Sequence, residues 1–103
     1  MLQTADNVRT MTVSRRQMQV LYSGHVQGVG FRFITRDIAQ QFQTKGFVQN
    51  LPDGRVLLVC EGSPRELDSF LAAVQRNLGQ HIRACDTRTL DAVNEFVRFE
   101  IRP

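Results

Sequence analysis

From Gln17 the chain alternates, with Met18, Val20 and Tyr22 on one side and Gln19, Leu21 and Ser23 on the other. That period of two predicts a strand, which enters a loop at Gly24. Beyond the loop, Ile34, Ile38 and Phe42 recur every fourth residue, which predicts an amphipathic helix burying one stripe, with Gly46 as its stop. Phe47 and Val48 open a second strand. Pro52-Asp53-Gly54 then supplies a fixed φ and a glycine that tolerates positive φ, the makings of a tight turn, and Val56 to Cys60 reads as the return strand. Ser63 before Pro64, with Glu66 three residues on, has the composition of a capped helix start. Leu67, Phe70, Leu71, Val74 and Leu78 follow at helical spacing and predict a second core-facing helix. After Gly79 the stretch from Ile82 to Leu90 is a less clearly patterned strand. In a terminal strand Val97, Phe99 and Ile101 alternate with Arg98, Glu100 and Arg102.

The order β-α-β-β-α-β, with an extra C-terminal strand, predicts an α+β, ferredoxin-like sandwich: an antiparallel sheet with two helices on one face. Residues 1–15 show no sustained periodicity and are expected to form a flexible N-terminal extension, leaving 16–103 as one domain. A length of 103 residues suits a single core, and no repeat or linker suggests a second unit.

Composition narrows the partners. A hydrophobic share of 42% with 22% charged residues is that of a globular chain. Of 13 basic residues 12 are Arg, whose rigid fork suits carboxylate and phosphate, yet the net charge is only +3. A small anion is therefore favoured over a nucleic acid, which calls for a basic stripe, and a merely solvated basic surface remains the plainer alternative. Cys60 and Cys85 stand 25 residues apart without a C-x-x-C spacing, so free thiols are expected. His81 and Cys85 are four apart, but only His25 remains to complete a metal site that needs three or four ligands, so no metal is expected. The N-terminus lacks the apolar stretch of a signal peptide, and no apolar run approaches 18 residues, which points to a cytoplasmic protein without a membrane partner.

Candidate chemistry lies in Gly24-His25-Val26-Gln27-Gly28-Val29-Gly30, followed by Phe31-Arg32. Glycines at that density let backbone N–H groups converge on one point, and the next helix adds its own unpaired N–H groups. Arg32 then lies where its fork can span two oxygens of an anion. An ordinary strand-to-helix turn, with Arg32 paired to a surface carboxylate such as Asp37, fits the glycine spacing equally well. Neither G-x-x-x-x-G-K-[ST] nor G-x-G-x-x-G is present, which argues against a nucleotide. A helix of about 12 residues descends roughly 18 Å, and a strand of about 5–6 residues climbs back as far. Asn50 is thereby returned to the level of the loop, where a carboxamide can orient a water; locally it also reads as a plain turn residue before Leu51.

The run from Gly24 to Arg32, then Gly46-Phe47-Val48-Gln49-Asn50 and Asp53-Gly54-Arg55-Val56, resembles the two signature segments of the acylphosphatase family, in order and at the family's spacing. The chain departs from the common family pattern at Phe42-Gln43-Thr44, Gly46-Phe47 and Gly79-Gln80, which are packing and loop positions. The resemblance implies that Arg32, with the backbone amides of Gln27, Gly28, Val29, Gly30 and Phe31, binds the phosphate of a small-molecule acyl phosphate. It also implies that Asn50 positions the attacking water, without metal, cofactor or covalent intermediate. Inorganic phosphate would then be product and inhibitor of a monomer. His25 is the rival base and Ser23 the rival nucleophile, although no His–carboxylate pair is placed to activate Ser23. Two other functions stay open on this fold. One is an RNA-binding module using Lys45-Gly46-Phe47-Val48 and the ring of Tyr22. The other is a non-catalytic acylphosphatase-like regulatory domain.

Overall fold

The computed structural model describes residues 15–103. The expected extension over 1–15 lies, except for Arg15, outside the described residues. The alternation from Gln17 becomes β1 (Arg16–Gly24). It is followed by α1 (Phe31–Ala39), β2 (Lys45–Asn50), β3 (Val56–Gly62), α2 (Pro64–Leu78), a 3₁₀ turn at Gly79–His81, β4 (Ile82–Asp91) and β5 (Phe99–Arg102).

The sheet order is β4-β1-β3-β2-β5. Each β-α-β unit leaves a gap that a strand of the other unit fills: β3 sits between β1 and β2, and β1 sits between β3 and β4. This is the split arrangement expected of the ferredoxin-like fold. β1 runs antiparallel to β3 and β4, and β2 antiparallel to β3. β5 corrects the expectation of a wholly antiparallel sheet. The chain crosses from the β4 edge to the opposite edge, and β5 joins β2 in parallel register, Val48 opposite Ile101. β5 also starts later than the alternation suggested, since Val97 is 76% exposed and precedes it.

On the helix-bearing face, Val20 and Tyr22 of β1, Val48 of β2 and Val56, Leu58 and Cys60 of β3 pack against Phe31, Ile38 and Ala39 of α1 and Leu67, Phe70, Ala73, Val74 and Leu78 of α2. Burying such side chains stabilises a fold by about 1.5–3 kcal/mol each. Phe70 meets Phe99 edge to face at 5.6 Å between ring centroids, which docks β5 onto the core.

Three helix expectations need correction. The buried residues of α1 are Phe31, Thr35, Ile38 and Ala39. Ile34 is 37% exposed, and Phe42 reaches the core from the turn after the helix. Counting back from Ile38, Thr35 and Phe31 lie at i−3 and i−7 on the inward stripe, so Thr35 takes the place that the every-fourth spacing assigned to Ile34. Gly46 is no helix stop. It is the second residue of β2, with φ +145°, and a Cβ there would collide with the Val59 carbonyl oxygen, so two strands approach too closely for any side chain. At the start of α2, Ser63 Oγ accepts from the Glu66 N–H at 3.2 Å as the composition suggested. The Glu66 carboxylate, however, accepts from the Gln43 N–H at 2.7 Å instead of reaching back to the cap.

Glu61 is a buried carboxylate that no sequence motif singles out. It accepts from Gln17 Nε2 at 2.7 Å and from the N–H groups of Val93 and Asn94 at 2.7 and 3.0 Å, so it secures the crossing to β5.

Both cysteines are free, Cys60 buried and Cys85 exposed. Burial, and then the Glu61 carboxylate, push the Cys60 thiol up to about 12, against a smaller lowering by Thr44. In the native protein a thiol reagent at neutral pH is therefore expected to modify one cysteine, Cys85, and both only after denaturation. Two equivalents of native modification would refute the packing of β3.

Candidate functional site

β1 gives way to the glycine-rich turn at Gly24, where the chain leaves the sheet and the His25 N–H donates to the His81 carbonyl at 2.9 Å. Val26 is fully buried and anchors the turn from within. Gly28 and Gly30 both hold φ near +80°, at 79° and 80°, a region that side chains rarely adopt. Gly30 is also the N-cap of α1, and no side chain caps that helix end. Among the described residues, the backbone N–H groups from Gln27 to Phe33 meet no acceptor. Such a row of unpaired donors carries partial positive charge where the helix dipole adds to it.

The opposite rim is the β2–β3 hairpin. Its turn is closed by Leu51 N–H to the Arg55 carbonyl at 2.8 Å and Gly54 N–H to the Leu51 carbonyl at 3.1 Å. Asp53 braces it: its carboxylate accepts from the Arg55 N–H at 3.0 Å and pairs with the Arg55 guanidinium at 2.9 Å, contacts that hold its carboxyl below the usual carboxylate range. Gln27 joins the two rims. Its side-chain Nε2 donates to the carbonyls of Leu51 and Arg55 at 2.8 and 2.9 Å.

Asn50 is the last residue of β2 and pairs with Val56. It has the same parity as Val48, which is fully buried beneath the helices, so its side chain belongs to the helix-bearing face at the end nearest the glycine turn. Arg32 is the second residue of α1. One of its Nη atoms donates to the Arg102 carbonyl at 3.0 Å, which steadies the side chain against β5. Pairing of Arg32 with Asp37 does not occur, because Asp37 meets Arg36 at 3.5 Å.

These elements enclose a cleft of about 160 Å³ lined by Val26, Gly28, Gly30, Phe31, Arg32, Phe33 and Asn50. Five of the residues expected from sequence thus come together: Arg32, Asn50, Gly28, Gly30 and Phe31. Gln27 and Val29 stand outside the lining. The Gln27 side chain is engaged with the hairpin, and Val29 packs on the core. Val26 and Phe33 were not singled out; the available signal was an aromatic residue beside Arg32 and off the predicted stripe. His25 faces a different hollow, with Gly24, Gln80, His81, Ile82 and Arg83. Tyr22 is buried and its ring lies 5.2 Å from that of Phe31, so it offers no exposed stacking platform. Among the described residues no three His, Cys, Asp or Glu side chains cluster as metal ligands, and no helix is long and apolar enough to cross a membrane.

Residues 18–101 match the family model described as Acylphosphatase. An acylphosphatase of Archaeoglobus fulgidus is 50% identical over 58 residues, a stretch covering 56% of this chain and 65% of that relative. One of Oceanobacillus iheyensis is 34% identical over 89 residues, covering 84% of this chain and 98% of that relative. The crystal structure of acylphosphatase from Bacillus subtilis superposes with a TM-score of 0.77 at 29% identity, covering 85% of this chain and 99% of that one.

Proposed function

Since the chain belongs to the acylphosphatase family, hydrolases whose substrates are small acyl phosphates, we propose that it cleaves the carboxyl–phosphate anhydride in the cleft shared by Arg32 and Asn50. The observation that carries this reading is the lining of that cleft. A guanidinium, a glycine-relaxed helix N-terminus and a carboxamide from a different strand surround one small space. Each supplies something the reaction needs.

The cleft-lining amides of Gly28, Gly30 and Phe31 cradle the phosphoryl oxygens, those of Gln27 and Val29 add their partial positive charge from the same turn, and Arg32 spans two of the oxygens. Their charge is fixed before substrate arrives, so it stabilises the negative charge that builds on the equatorial oxygens without reorganisation. Asn50 accepts a hydrogen bond from the attacking water and holds it in line with the phosphorus. As the new P–O bond forms, the bond to the acyl oxygen breaks and the carboxylate departs. The water's proton passes to a phosphoryl oxygen, because the cleft lining contains no carboxylate or imidazole to take it. An acyl phosphate is already activated, so positioning and charge suffice.

Positive charge comes here from a guanidinium and amides in place of a metal ion. Hydrolysis of benzoyl phosphate is therefore expected to proceed undiminished in excess EDTA, with inorganic phosphate as a competitive inhibitor. A loss in EDTA that zinc or magnesium restores would overturn this mechanism. Action as a monomer in the cytoplasm belongs to the same reading, and two free thiols fit that reducing compartment.

A further inference from the structure

The geometry points to Phe33 as the residue that selects the acyl group, favouring acyl phosphates whose acyl part is a flat hydrocarbon. This rests on the acylphosphatase reading of the cleft. Phe33 is not one of the buried residues of α1 and is 56% exposed, so the ring is not held there by the core. A single exposed aromatic is ordinary by itself. Its place is not, because this one lines the same cleft as Arg32 and Asn50. Of the other apolar lining side chains, Val26 and Phe31 are buried, which leaves Phe33 as the lining side chain with accessible apolar surface.

Side chains on a helix lean toward its N-terminus, so from the third position of α1 this ring leans toward the Gly28–Gly30 turn. Arg36, one turn later, sets its guanidinium carbon 5.6 Å from the ring centroid and restrains the ring from one side. With the phosphoryl group held by Arg32 and the amides in a space of about 160 Å³, the acyl carbon of a substrate lies at the mouth, where the ring stands. The phosphoryl group is common to every acyl phosphate and cannot discriminate among them. The ring can, since an aromatic acyl group stacks on it and an acetyl group has little surface to offer.

The test compares benzoyl phosphate with acetyl phosphate on the unaltered chain and on Phe33→Ala, Phe33→Leu and Phe33→Tyr. An aromatic contact of this kind corresponds to about 3- to 10-fold in KM. Phe33→Ala is expected to raise KM for benzoyl phosphate by that factor. The kcat, the inhibition by inorganic phosphate and the KM for acetyl phosphate should stay within about 2-fold. Phe33→Tyr should keep the preference, and Phe33→Leu should fall between. Equal changes for both substrates, weakened phosphate inhibition or no change at all would overturn the assignment while leaving the acylphosphatase reading intact. Failure of the unaltered chain to turn over either substrate would overturn both.

Discussion

Arg32→Ala is expected to lose phosphate binding and turnover together, with kcat/KM for benzoyl phosphate falling by about 10²–10³-fold or more, the scale on which removal of a preorganised charge donor acts. The reason is that one guanidinium serves both the ground state and the transition state. It sits at the second position of a helix whose first N–H groups, up to Phe33, meet no acceptor among the described residues, and its Arg102 contact uses only one of its two Nη atoms. Lysine at this position restores the charge but not the fork, so only a small part of the activity should return. Titration with inorganic phosphate, followed by competitive inhibition or calorimetry, checks the binding half. Retention of more than a tenth of the activity would refute the role given to Arg32. The fold should survive, because the residue is not among those buried in the core.

Asn50→Ala separates the two functions that Arg32 combines. Turnover is expected to collapse by about 10²-fold or more, the cost of losing the orientation of a reacting group. The inhibition constant for inorganic phosphate should change little, since the amides and Arg32 remain in place. Loss of phosphate binding in this variant would count against a water-orienting role and would make Asn50 a second anion ligand. The backbone pairing of Asn50 with Val56 does not depend on the side chain, so the hairpin should keep its register.

Much of this cleft was legible because its parts announce themselves locally. Gly28 and Gly30 occupy a backbone region that few other residues tolerate, and the number of residues between Arg32 and Asn50 returns the strand to the level of the turn. What escaped was whatever depends on pairing between distant segments. The parallel seat of β5 beside β2 follows from a crossing whose direction no periodicity encodes. Glu61 lay just past the expected return strand, Val56 to Cys60, and acquires its role only where the crossing folds over it and supplies two backbone N–H donors. The inward face of α1 differs from the expected one because Ile34 is the more apolar residue, whereas the i−3 spacing back from Ile38 gives the buried place to Thr35. Phe33 escaped for the opposite reason: it belongs to no apolar stripe, and only its position against the cleft distinguishes it.

The double contact of the Gln27 carboxamide with Leu51 and Arg55 has a mechanical consequence. It ties the Gly28–Gly30 turn to the hairpin that begins where β2 ends, so a displacement of one is carried to the other. In the proposed mechanism this fixes the separation of nucleophile and electrophile, because the groups assigned to hold them are cross-braced by one side chain.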